Sequence, residues 1–142
     1  MQTETTSKAA SKISERSAFL SDIIITAAEG GVNYWAAVTK YDHGYNKSDK
    51  LGDCGLEPER SRPASMCVQD AEDDSEPPML VTVKTLRKAF ALVMSSKDIA
   101  HVGGDWRKRM VAEYWGKDAG ELDADDADSL VQIGLFGEVR YV

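Results

Sequence analysis

Cysteine is scarce in this chain, with only Cys54 and Cys67 among 142 residues. Two thiols behind an N-terminus that lacks a signal-peptide pattern make no disulfide framework; they read as reduced, cytosolic cysteines. Histidine is equally rare. Zinc fingers pair their ligands on short turns such as Cys-x-x-Cys, whereas His43, Cys54, Cys67 and His101 stand more than ten positions apart. No metal site is expected from them, and no other cofactor. No apolar run approaches the ~20 residues that a membrane-spanning helix needs. Positive charge is also in deficit: 17 Lys and Arg face 24 Asp and Glu, for a formal net charge of -7 and a pI of about 4.8. That balance argues against nucleic acid or an anionic membrane as a direct partner and favours a basic one.

Motifs that carry chemistry are missing too. There is no G-x-S-x-G elbow, and His43 lies beside Asp42, too near in sequence for a triad carboxylate to orient its ring. Gly30-Gly31 follows a helix and precedes a strand, the reverse of a phosphate-binding loop. Asp123, Asp125, Asp126 and Asp128 suggest calcium, but Gly134 stands where an EF-hand loop needs its glutamate. They read instead as a helix start, where acids complement the positive end of the dipole. No motif supports a named reaction, so the chain is read as a non-enzyme.

What is present defines a fold. Phe19, Leu20, Ile23, Ile24, Ala27 and Ala28 have the spacing of one helical face, with Ser14 or Ser17 as N-cap and an end near Glu29. Gly30 is expected to close this helix in the left-handed conformation, and Gly31 to let the chain reverse. A strand follows from Tyr34 to Tyr41, with Tyr34, Ala36 and Val38 on one face and Trp35, Ala37 and Thr39 on the other. Asp42-His43-Gly44 is a turn. Strands are expected again at 64–70 and 79–83, joined by an acidic turn, and such short strands favour an antiparallel meander. Helices are predicted from Thr82 or Lys84, with Leu86, Ala89, Phe90, Val93 and Met94 inward, and at 105–116, with Trp106, Met110 and Tyr114 stacked. A last helix opens at Asp123, buries Ala127, Leu130, Val131 and Gly134, and ends at Gly137. Residues 138–142 alternate like a final strand.

The expected architecture is therefore α+β: an antiparallel sheet of about four strands, an N-terminal helix, and two to three helices packed mainly on one face. Residues 1–13 are expected to form a disordered tail, and 14–142 a single domain with a long loop at 46–63.

Two surface features are candidates for binding. The acidic stretches supply Asp73, Asp74 and Glu76 in a turn, and Asp123, Asp125 and Asp126 at a helix start, as contacts for a basic partner surface. Arg107, Lys108 and Arg109 form a compact basic patch. It is either an anion contact or a solvated helix face paired with acids such as Glu113.

Three blocks of the chain resemble small proteins of phages and mobile elements that have no assigned activity. The blocks are residues 19–36, reading FLSDIIITAAEGGVNYWA; residues 81–87, reading VTVKTLR; and residues 125–141, containing Leu135-Phe136-Gly137-Glu138. Together they cover about 30% of the chain, and residues 46–63 lie outside them. The resemblance implies a setting, in which small acidic accessory proteins bind host machinery. The resulting expectation is a non-enzymatic protein of the host-cell cytoplasm that inhibits a host defence complex of the anti-CRISPR or anti-restriction kind. One rival is a binder that sequesters a nucleotide signal through Tyr34, Trp35 and Arg107 to Arg109. The other is an enzyme of unrecognised chemistry.

Overall fold

The computed structural model describes residues 13–45, 61–116 and 121–142. The expected tail, most of the 46–63 loop and Cys54 lie outside the described residues. The fold is α+β; among the described residues it has a three-stranded antiparallel sheet and four α-helices.

Helix α1, Glu15–Thr26, starts where Ser14 accepts a hydrogen bond from the Ser17 amide at 3.0 Å. Phe19, Leu20, Ile23, Ile24 and Ala27 are all buried, as the 3.6-residue period requires. The helix does not end on a left-handed Gly30. It widens into a π-helical turn, Ala27–Gly31, closed by the Val32 amide on the Ala27 carbonyl at 3.1 Å. The chain stays right-handed through Val32, so no left-handed residue is needed. Gly31 serves another purpose: a Cβ there would lie 2.6 Å from the carbonyl oxygen of Ala124. The turn therefore presses directly against the start of the last helix.

Strand β1 is Ala36–Asp42, two residues later than the pattern suggested. Trp35 and Ala36 both return their amides to the Val32 carbonyl, at 3.1 and 2.9 Å, so residues 33–35 form a turn. Because Trp35 precedes the pleat, it escapes the strand's alternation and is fully buried, while Tyr34 faces outward. β1 pairs with β2, Ser65–Asp70, from Ala36↔Asp70 to Asp42↔Ser65, with a bulge between Val38 and Lys40. β2 pairs with β3, Met79–Val81, through Met66↔Val81 and Val68↔Met79. Met66, Val68 and Val81 are buried on one face of this sheet, whereas Ala37, Thr39 and Leu80 are exposed. The chain re-enters the sheet after the loop under control of Arg62, whose guanidinium grips Asp42 at 2.8 Å through two nitrogens. That pair holds the Asp42 carboxyl below its ordinary range.

Helix α2, Val83–Val93, opens with a capping box in which Thr82 and Thr85 exchange side-chain and backbone bonds. Met94, expected on its buried face, is the C-cap and is exposed. Helix α3, Gly104–Gly116, buries Met110 and half-buries Trp106 and Tyr114. Helix α4, Ala124–Phe136, has an Asp123–Asp126 capping box and stops at Gly137, whose φ of 77° is the left-handed close that glycine allows. α4 crosses α2 closely at Gly134, where a Cβ would lie 2.4 Å from the Thr85 carbonyl oxygen.

The expected fourth strand is absent. Residues 138–142 run over α4 without joining the sheet, because a side chain supplies their hydrogen bonds. Gln132 accepts from the Tyr141 amide at 2.7 Å and donates to the Tyr141 carbonyl at 2.9 Å. No helix among the described residues is long and apolar enough to cross a membrane.

Candidate interaction surface

The basic patch resolves into three different environments. Arg107 donates to the carbonyls of Leu92, Val93, Ser95 and Lys97, at 3.0, 3.1, 2.7 and 2.6 Å. It thereby ties together the carbonyls at and just beyond the C-terminus of α2. Arg109 forms a two-pronged pair with Asp126, at 2.8 and 2.7 Å. Both guanidiniums are thus engaged in internal hydrogen bonds, although the Arg109 side chain remains 46% exposed. Lys108, between them, is exposed.

The same pair corrects the reading of Asp126, which is buried and not a surface carboxylate. It also accepts from Trp106 Nε1 at 2.9 Å and from the Asp123 amide at 3.1 Å. Burial pushes its carboxyl upward, but the bonds from Arg109 and Trp106 outweigh burial and hold it below the ordinary carboxylate value. Glu113, the expected partner of Arg109, contributes to the field around the guanidinium.

The remaining acids do face solvent. Asp73, Asp74 and Glu76 lie in the exposed turn between β2 and β3, where Asp73 accepts from the amide and hydroxyl of Ser75. Those bonds lower the Asp73 carboxyl. Asp123 and Asp125 are exposed at the start of α4, Asp123 serving as its N-cap.

A buried polar cluster connects the two acidic regions. Asp128 is buried on α4 and accepts from Trp35 Nε1 at 2.7 Å, from the Tyr34 hydroxyl at 2.6 Å, and from Gln132 Nε2 at 3.0 Å. Tyr141 stacks on Trp35 with ring centroids 5.2 Å apart and donates its hydroxyl to Asp70 at 2.5 Å. Asp70, at the end of β2, also accepts from the Glu72 amide at 2.8 Å and so fixes the first residue of the acidic turn. His101, which takes a strained φ of 67°, has Nδ1 3.0 Å from the Val139 carbonyl and adds a further tie to the C-terminal segment. The chemistry of this cluster is structural: each Asp128 oxygen already has donors. Among the described residues no buried side-chain nitrogen or oxygen lacks a partner.

No protein-family model, curated protein or solved structure matches this chain.

Tyr34 stands between the acidic regions, 52% exposed, with its hydroxyl turned in toward Asp128. Its pKa is pushed up from 10.0 to about 12, first by burial of the hydroxyl, then by the hydrogen bond and charge of Asp128, with a contribution from Asp125. The folded protein holds this proton to higher pH than the unfolded chain. The stabilisation is therefore complete below pH 10 and is lost as pH rises through about 12. Alkaline unfolding followed by circular dichroism is expected to be less steep over that interval in Tyr34→Phe than in the parent. Equal slopes would show that folding does not raise the Tyr34 pKa.

Among the described residues no group of three or more His, Cys, Asp or Glu is placed to hold a metal ion. Cys67 is a free, half-buried thiol on the outer side of the sheet.

Proposed function

We propose that this protein is a non-enzymatic interaction protein whose exposed carboxylates engage a basic, nucleic-acid-handling surface on another protein. The observation that carries the reading is the contrast between the two charge sets. Arg107 and Arg109 are engaged in internal hydrogen bonds, whereas Asp73, Asp74, Glu76, Asp123 and Asp125 face solvent. This contrast favours a basic partner over the nucleotide-signal alternative, which needs those guanidiniums. Asp126 is left out of the contact set because its oxygens are committed to Arg109 and Trp106. The resemblance of residues 19–36, 81–87 and 125–141 to small proteins of phages and mobile elements supplies the setting: a host defence complex of the CRISPR or restriction type, met in the host cytoplasm.

The test is a pull-down from host lysate, followed by binding kinetics on the captured partner. Exposed pairs are screened over a Debye length of about 8–10 Å at physiological salt, so affinity should fall as salt rises. The variant Asp73→Asn/Asp74→Asn/Glu76→Gln should fold normally, since all three residues lie in an exposed turn, and should slow association more than it speeds dissociation. Asp123→Asn/Asp125→Asn should act similarly, with asparagine preserving the helix cap. Kinetics unchanged in both variants would overturn the electrostatic reading. Tight binding of a cyclic nucleotide in calorimetry, lost in Arg107→Ala, would favour the alternative.

A further inference from the structure

The second charged region of this molecule has the opposite sign and borders an apolar groove. The groove lies where α3 meets the C-terminal end of α2, has a volume of about 450 Å³, and is lined by Val93, Met94, Arg107, Lys108, Val111 and Trp115. Trp115 is 63% exposed and Met94 37%. Aromatic residues and methionine are the side chains enriched where proteins meet. Arg107 contributes a fixed positive charge, since four carbonyls hold its guanidinium, while Lys108 on the same lining is exposed. The positive charge continues away from the groove. α2 contains no acidic residue and exposes Lys84, Arg87 and Lys88, with Arg87 also donating to the Ser17 hydroxyl at 3.2 Å. Arg87 and Met94 are seven positions apart, two turns along one helix face, so the basic track leads into the groove. Arg16 adds to it, with its guanidinium carbon 5.4 Å from the Trp115 ring.

We propose that this groove docks an acidic peptide segment of a partner protein, with one large apolar side chain against Trp115, Val111 and Met94, and carboxylates along Lys108, Arg87 and Lys88. Charge complementarity selects that occupant: a basic track on a chain of net charge -7 attracts a short acidic segment locally while the rest of the surface repels a long polyanion. The aliphatic lining from Val93, Met94 and Val111 suits a leucine or phenylalanine side chain better than a phosphate backbone with bases to stack. The inference uses residues other than the carboxylates of the proposed function and stands or falls separately from them.

Fluorescence anisotropy of a short labelled peptide, rich in Asp and Glu around a central Phe-Leu pair, tests it. Saturable binding is expected, weakened about tenfold or more by Trp115→Ala and by Arg87→Glu/Lys108→Glu, equivalent to about 1.4 kcal/mol. The same peptide with Ser-Ser at its centre should bind about tenfold more weakly. Trp115→Phe should recover most of the affinity, and thermal melts should match the parent because Trp115 is largely solvated. The Asp73→Asn/Asp74→Asn/Glu76→Gln protein should bind the peptide as the parent does. The proposal is overturned by absence of saturable binding, or by binding indifferent to these basic and aromatic substitutions. It is equally overturned if a single-stranded oligonucleotide of matching charge binds more tightly through the same residues. Concentration-dependent self-association abolished by Trp115→Ala would overturn it too, by assigning the groove to a second copy of this chain.

Discussion

Replacing Trp35 with alanine is expected to destabilise this chain severely, and more than truncation of any aliphatic side chain in its core. The indole is fully buried, stacks on Tyr141 at 5.2 Å and meets Phe136 edge-on at 5.6 Å. Truncating a buried aromatic side chain costs about 3–5 kcal/mol in lost transfer free energy and residual cavity. Trp35 Nε1 also donates at 2.7 Å to Asp128, a buried carboxylate that accepts from the neutral groups of Tyr34, Trp35 and Gln132. Its loss takes a donor from a buried charge, and a buried acceptor left short of partners costs about 1–3 kcal/mol. Trp35→Phe separates the two effects, since it keeps much of the ring and removes only the N–H and the second ring's volume. Urea denaturation should place the midpoints in the order parent, Trp35→Phe, Trp35→Ala. Leu130→Ala, on the fully buried face of α4, should fall by about 2–5 kcal/mol. A midpoint that hardly moves in Trp35→Ala would show that the turn at 33–35 does not seat the indole in the core.

The strand pattern puts Trp35 on one face with Ala37 and Thr39, which are exposed, and does not reveal this cluster; the difference marks what periodicity can reveal. Apart from Met94, the 3.6-residue pattern places the inward faces of α1, α2 and α4 correctly, because burial of apolar surface is the main driving force of folding and acts residue by residue. The period of two places Met66 and Val68 on one side of β2, and Asp70, two further on, shares their face. That position is the available sign that Asp70 needs a buried donor, which Tyr141 provides. Asp128 gives a similar sign. It sits at the fifth position of α4, beyond the first turn where the dipole favours an acid, and four residues before Gln132, so both lie on one side of the helix. What no local pattern carries is the identity of partners distant in sequence. Arg107 meets the end of α2, Arg109 meets Asp126 17 positions on, and Tyr34 meets Asp128 94 positions on. Reading Asp126 as a surface carboxylate fails for that reason, since its burial and its partners Arg109 and Trp106 come only with the fold. The expected final strand fails for a related one, since an extended segment looks the same whether its neighbour is a strand or the side-chain amide of Gln132.

Gly134→Ala should destabilise the protein although alanine is the better helix former. In an exposed helix interior the exchange gains about 1 kcal/mol. At Gly134 the new Cβ would stand 2.4 Å from the carbonyl oxygen of Thr85 and 2.7 Å from its methyl carbon. The methyl moves only by a χ1 rotation that would also break the bond from the Thr82 amide to Thr85 Oγ1. The carbonyl belongs to the first turn of α2, where Thr85 also completes the capping box with Thr82, so it moves only if α2 shifts away from α4 or loses its cap. Overpacking of this kind costs about 1–3 kcal/mol and a lost cap about 1 kcal/mol, which together exceed the gain in propensity. Gly31→Ala should behave alike, because its Cβ would meet the backbone oxygen of Ala124 at 2.6 Å. Gly30 is the control within the same turn: a Cβ there meets nothing within 4 Å and its φ is not positive. Gly30→Ala should leave stability unchanged or raise it by about 0.4–1 kcal/mol through a less flexible unfolded chain. Thermal melts of the three variants therefore have a required order, with Gly30→Ala at or above the parent and the other two below it. A Gly134→Ala protein melting at or above the parent would mean that α2 and α4 are not in backbone contact. The packing of the helical layer that follows from that approach would then be wrong.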